Sequence, residues 1–161
     1  MKVVEKERSK NMLKALKKRV KNEKGLTLIE LLAVVVILGI IAAIAIPAIG
    51  GLIDNSKKDA HVANATQMIN SAKTYVAGNA NDPATSITLE ELIGDGYIDE
   101  MEDPDGKDAT GEGYDLKDSK VDIVKSNNKF TYTVTLKGVE RGISGELSAL
   151  DRDAVLDTLK K

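Results

Sequence analysis

The sequence predicts an α+β fold: a long N-terminal helix, apolar in its first half and amphipathic in its second, packed against a small antiparallel β-sheet, with short additional helices. Three observations carry this. Leu31 to Ile53 contains no charged side chain, apolar residues recur at spacings of three and four from Val62 to Val76, and the stretch from Lys129 to Lys137 alternates between apolar and polar. The first is long enough to be a span, the second is a helix with one buried stripe, and the third is a strand with one buried face.

Taken from the N-terminus, Met1 to Lys24 carries ten Lys/Arg against three Asp/Glu, whereas Leu26 to Lys161 carries thirteen against twenty-two. Positive charge flanking an apolar span stays on the cytoplasmic side, so the acidic body is expected outside. Residues 1–25 therefore read as a cytoplasmic basic leader, with an ordinary cytoplasmic tail of a membrane protein as the alternative. Leu31 to Ile53 would run about 34 Å as a helix at about 1.5 Å per residue, enough to cross a hydrocarbon core of roughly 30 Å. It exceeds the about 7–15 apolar residues of a secretory signal, although Ala43-Ile44-Ala45 offers a small-x-small cut site. Residues 26–53 are expected to be a transmembrane or filament-core helix.

The globular domain is expected at 54–161. From Asp54 to Asn79, the stripe of Val62, Thr66, Ile69, Ala72 and Val76 predicts an amphipathic helix continuous with the span. His61, between Asp59, Ala60 and Asn64, is placed on the exposed part of that helix. Gly78 to Pro83 is rich in turn formers and ends it. Thr88 followed by Glu91 fits a capping box for a short helix through Leu89, Leu92 and Ile93. Asp99 to Ser119 reads as an acidic loop with a brief extended piece at Tyr114 to Leu116. Val121 to Val124 and Lys129 to Lys137, joined through Ser126-Asn127-Asn128, form a hairpin that turns Phe130, Tyr132, Val134 and Leu136 toward the helix stripe. Ser148 is expected to cap a final helix through Leu150, Ala154, Val155 and Leu159.

The chemistry concentrates at Lys24-Gly25-Leu26-Thr27-Leu28-Ile29-Glu30. A glycine at the cytoplasmic edge of a span can be drawn extended into a protease at low steric cost. Glu30 is costly within an apolar segment, by about 2.5–3.5 kcal/mol at a helix centre and less near an interface, so it asks for a role. A cut after Gly25 would place a new α-amine near Glu30, where the carboxylate of one chain could meet the amine of its neighbour. The alternative is a carboxylate at the head-group boundary that complements the helix dipole. Gly39, Ala43, Pro47 and Gly51 put small side chains on one helix face. Pro47 removes a backbone donor and crowds the carbonyl of Ala43, which predicts a kink or local opening, or an ordinary proline kink in a single span.

Gly25-Leu26-Thr27-Leu28-Ile29-Glu30 followed by a long aliphatic run resembles the class III signal of type IV pilins and the related pseudopilins of secretion and competence systems. The resemblance implies that a membrane-embedded prepilin peptidase cuts between Gly25 and Leu26 and methylates the amine of Leu26. It also implies that Glu30 serves subunit recruitment, with an assembly platform protein and ATPase as partners and a homopolymer held by N-terminal helices. The precursor would sit in the cytoplasmic membrane as a single pass and the mature protein in a cell-surface filament. Leu26 stands where the family commonly has phenylalanine, and the leader is longer than many. With no cysteine, the disulfide-bounded C-terminal loop of many Gram-negative pilins cannot form, which leans toward a Gram-positive or pseudopilin-like subunit.

Other classes fare less well. The absence of cysteine removes thiolate catalysis and zinc–thiolate sites. Four Tyr, one Phe and an acidic body argue against a nucleic-acid surface. Asp103, Asp105 and Asp108, near Glu112 and Asp115, are weak candidates for calcium, but Lys107 stands where an EF-hand would need a ligand. A solvated acidic loop without metal or cofactor is the preferred reading. No nucleophile elbow or phosphate-binding glycine motif is present, so no enzyme activity is expected. The function expected is a structural subunit of a type IV pilus or pilus-like filament. The alternatives are a competence or type II secretion-like pseudopilin and a single-span anchored binding protein that keeps its leader.

Overall fold

The computed structural model describes residues 27–79, 84–127 and 129–161. The basic leader, the junction Gly25-Leu26, Ala80 to Pro83 of the expected turn and Asn128 of the hairpin lie outside the described residues. The chain divides into two compact units, Met1–Ala48 and Ile49–Lys161.

One helix, α1, covers Leu28–Gly78 and continues through Pro47. In its first part every large apolar side chain is exposed, from Leu28 and Ile29 through Ile44 and Ile46. By length and composition α1 can cross a membrane, and none of its most apolar window is buried in the protein. That part makes no core of its own, so its hydrophobicity is directed at lipid or at another chain.

In the second unit α1 buries Ala65, Met68, Ile69, Ala72 and Val76. Val62 and Thr66, expected as the first two members of the stripe, are only half-buried. The buried line starts instead at His61, which is fully buried, contrary to the exposed position expected for it. His61, Ala65, Met68, Ala72 and Val76 follow one another at spacings of four, three, four and four, which is a single helical face.

The remaining elements are β1 (Ser86–Thr88), α2 (Leu89–Gly94), β2 (Lys120–Ser126), β3 (Lys129–Leu136), β4 (Gly142–Glu146) and β5 (Val155–Leu156). The strands form one antiparallel meander in chain order. The expected hairpin is β2–β3, with Val121 opposite Val134, Ile123 opposite Tyr132 and Ser126 opposite Lys129. Asn127 opens its tight turn at φ 46°, a left-handed conformation that asparagine tolerates. Ile87, Val121, Ile123, Val134, Leu136, Ile143 and Val155 share one hydrophobic core with the α1 stripe and with Leu89 and Leu92 of α2. At α2 the expected capping box is complete: Thr88 Oγ1 accepts from the Glu91 N–H at 3.2 Å, and Glu91 accepts from the Thr88 N–H at 2.8 Å.

Two further expectations fail. Residues 148–159 form no helix but three short 3₁₀ turns, Leu147–Ala149, Arg152–Ala154 and Asp157–Leu159, with β5 between the last two. The Asp151 carboxylate accepts from the N–H groups of Asp153 and Ala154 and so starts a separate turn. Val155 then pairs with Ile143 and satisfies a sheet edge that a helix would leave open. Tyr114 to Leu116 is likewise not a strand. Its place beside β2 is taken by β1, and the carbonyls of Leu116 and Ser119 accept from the N–H groups of Glu90 and Leu89.

Candidate functional site

The two constellations predicted from sequence are the N-terminal junction and the acidic loop. At the junction, Thr27 caps α1. Its N–H and Oγ1 each reach Glu30 Oε2 at 2.8 Å, while the Glu30 N–H donates to Thr27 Oγ1 at 3.2 Å. This is a second capping box, legible in Thr27-Leu28-Ile29-Glu30 but not anticipated, and it joins helix-end satisfaction to the one carboxylate of the apolar segment. Glu30 is therefore placed at the helix start by Thr27, exposed and followed by a run without charge up to Ile53. Gly39, Ala43 and Pro47 lie along the same exposed helix, and beside Gly39 there is open space. Such a surface can receive a second helix closely.

The acidic loop is folded by its own carboxylates rather than dissolved in solvent. Asp103 Oδ1 accepts from the Asp105 N–H, Asp108 Oδ1 from the N–H groups of Thr110 and Glu112, and Asp115 Oδ1 from those of Lys117 and Asp118. Each is a local side chain-to-backbone turn, the use to which aspartate is best suited. Gly106 completes the first at φ 104°, where a side chain would be strained.

From this loop Asp103 and Asp105 enter the protein and meet His61. Their side chains and that of His61 are fully buried, with His61 Nε2 3.1 Å from Asp105 Oδ2 and 3.8 Å from Asp103 Oδ1. On the other side of the ring, Nδ1 lies 2.7 Å from the Tyr114 hydroxyl, which accepts from Asn64 Nδ2 at 3.1 Å. With the proton on His61 Nε2, every group is satisfied: Asn64 donates to Tyr114, Tyr114 to His61, and His61 to Asp105. Burial raises the Tyr114 phenol well above its ordinary value, the Asn64 hydrogen bond works against this, and the charges of Asp103 and Asp105 add to it.

Arg141, between β3 and β4, supplies the balancing charge. Its Nε and Nη2 bind the two oxygens of Asp105 at 2.8 and 2.9 Å, and Nη1 binds Asp54 of α1 at 2.6 Å. Lys57 adds an ion pair to Asp105 at 3.3 Å. Burial pushes the Asp105 carboxyl up, but the hydrogen bonds from Arg141 and His61, the Arg141 charge and Lys57 outweigh it and leave it far below the usual range. Asp103 Oδ2 accepts from the Val139 N–H at 2.7 Å.

Ligand atoms of His61, Asp103 and Asp105 lie within 4.8 Å of one another, the geometry of a possible metal trio. The donors are already committed, however. A cation held through Asp105 Oδ2 would compete there with Arg141 Nε and with His61 Nε2. Asp108 is not part of this group but pairs with Lys161 at 2.8 Å. The line Asp105–His61–Tyr114 has the order of a catalytic relay, and both His61 and Tyr114 are buried. The cluster is a polar pin that ties α1, the loop and the β3–β4 connection together. Sequence reasoning missed His61, Tyr114 and Arg141, and the signal for His61 was its place on the Ala65–Met68–Ala72 face.

A family profile described as the prokaryotic N-terminal methylation motif matches residues 20–46. The match begins in the basic segment, crosses Gly25 to Glu30 and ends one residue before Pro47. Comparison with curated proteins and with solved structures returns no match.

Proposed function

We propose that this chain, which carries the prokaryotic N-terminal methylation motif, is a type IV pilin-like precursor: a substrate of prepilin peptidase that becomes a structural subunit of a pilus or pilus-like filament. The observation that carries the reading is the exposed apolar stretch of α1 headed by a Thr27-capped Glu30. Lipid satisfies that surface in the precursor. After cleavage between Gly25 and Leu26 and methylation of the Leu26 amine, the equally apolar helices of neighbouring copies satisfy it instead.

Glu30 supplies direction to this exchange. A carboxylate moving from the membrane boundary into a helix bundle is stabilised by an opposite charge, and the freed amine of an adjacent subunit is one. Gly39, Ala43 and Pro47 allow close helix approach in that bundle. The folded unit Ile49–Lys161 is its displayed body, held by its own hydrophobic core and polar pin, with no solvent-accessible catalytic group among the described residues of that pin.

Gly25→Leu tests the first step. Expressed with its peptidase, the wild-type chain loses its leader while the variant retains it and stays in the membrane fraction. Equal shortening of both chains would sink the assignment of the cut.

A further inference from the structure

We infer that the folded unit carries a head-to-tail contact for a second copy of itself, in which a basic aromatic groove at the β2–β3 turn receives the acidic segment 90–102 of the next chain. The inference rests on the filament reading above and adds a specific contact between the folded units.

The groove runs between α1 and the hairpin and is lined by Ile69, Lys73, Phe130, Tyr132 and Leu147. Phe130 and Tyr132 are only half-buried, with ring centroids 6.5 Å apart, and Leu147 is exposed. Lys125 holds its ammonium 5.3 Å above Phe130, and Lys73 lies 5.8 Å from the Tyr132 ring. Lys129 and Glu146 also border it, so three positive charges face one negative. Among the described residues, lysine ion pairs are made by Lys57, Lys58, Lys120, Lys137 and Lys161. Lys73, Lys125 and Lys129 make none, nor do Lys107, Lys117 and Lys160; the first three gather beside Phe130 and Tyr132, which leaves a positive apolar surface there.

The complement is present in the same chain. Glu90, Asp95, Asp99, Glu100 and Glu102 are exposed, cluster on α2 and the segment after it, and enter no ion pair among the described residues. Within one molecule the turn that carries Lys125 and Lys129 and the start of α2 lie at opposite ends of β2. Ser126 and Lys129 close the hairpin at one end of β2, whereas Thr88, which starts α2, pairs with Lys120 at the other. That separation is about 20 Å at about 3.3 Å per residue. Opposite charges at opposite ends make a contact between two different patches, a head-to-tail geometry that propagates as an open helix when its rotation does not close a ring. It also rejects the wrong alignment, because groove on groove or acidic segment on acidic segment juxtaposes like charges.

The absence of cysteine from the chain makes the test direct. Full-length chains carrying Lys129→Cys with Glu100→Cys, and separately Lys125→Cys with Glu102→Cys, are expressed with the assembly machinery, and surface-sheared filaments are oxidised. The expected result is a ladder at multiples of the chain mass from at least one pair and none from the single variants, since an internal bridge cannot span more than about 7 Å between Cα atoms. Alongside, Lys125→Glu with Lys129→Glu is expected to cut filament yield about tenfold or more, with recovery when Glu100→Lys and Glu102→Lys are added. Wild-type filaments with neither ladder nor charge-swap recovery would overturn this contact and leave the filament reading intact. Cross-links to a different protein would replace the second copy as occupant and overturn it too. A wild-type chain that keeps its leader and forms no filament would overturn both.

Discussion

Arg141 holds Asp105 in a two-pronged grip, Nε to Oδ2 at 2.8 Å and Nη2 to Oδ1 at 2.9 Å, with the carboxylate fully buried. The grip brings a residue of the β3–β4 connection onto the acidic loop, and the third nitrogen extends it to Asp54 on α1. Three separate parts of the chain therefore depend on one side chain.

Arg141→Met removes that cation and leaves Asp105 and Asp103 buried beside each other. Breaking one side of a buried pair costs about 3–5 kcal/mol, so the detergent-solubilised full chain should unfold at much lower denaturant. Arg141→Lys should recover little, because an ammonium cannot reproduce the planar fork. A loss below about 1 kcal/mol in the Met variant would show that the grip is incidental.

Stability should fall in acid, and the sign follows from Asp105. Its folded carboxyl titrates below the unfolded one, so the stabilisation is present above the ordinary Asp value of about 3.9 and is lost as pH falls toward the folded value. The Lys161 ammonium, pushed up to about 12 by its hydrogen bonds to Asp108 and Glu112, acts at the other end. Its contribution is complete below the unfolded lysine value of about 10.4 and fades as pH rises through about 12. Circular dichroism against pH should show the acid limb flattened by Arg141→Met and the alkaline limb flattened by Lys161→Met.

Tyr114→Phe deletes the hydroxyl that both accepts from Asn64 and donates to His61. The buried Nδ1 and one amide donor then lose a partner, at about 1–3 kcal/mol. Pairing it with His61→Phe in a double-mutant cycle should give a coupling of about 1 kcal/mol or more, and additive losses would contradict the relay.

Glu30→Gln separates two roles of one residue. Glutamine can complete the capping box with Thr27, so the helix start survives, but it cannot pair with an amine. Cleaved Glu30→Gln subunits should remain in the membrane with filament yield near that of Glu30→Ala. Wild-type yield from the glutamine variant would reduce Glu30 to a helix cap.

The parts legible in the sequence are those set by periodicity and by short capping signals. The alternation from Lys129 to Leu136 gave the hairpin, Thr88 with Glu91 gave α2, and the uncharged run gave the first part of α1. The C-terminal helix failed because Leu150, Ala154 and Val155 fit a helical spacing only until β4 needs an edge partner. His61 was misplaced because a histidine between Asp59 and Asn64 looks solvated. Its burial depends on Tyr114, 53 residues away, and on Asp105, 44 away, and no local pattern announces them. Arg141 was silent for the same reason, since its partners at positions 54 and 105 come from distant segments.

The central claim is that the leader is removed and the exposed helix is handed from lipid to neighbouring copies. Mass spectrometry of protein sheared from the cell surface reads it directly. The account predicts an N-terminal peptide that begins at Leu26 with a methylated amine and contains Glu30. Surface protein that retains Met1 to Lys24, with an unmodified junction at Gly25, would contradict it.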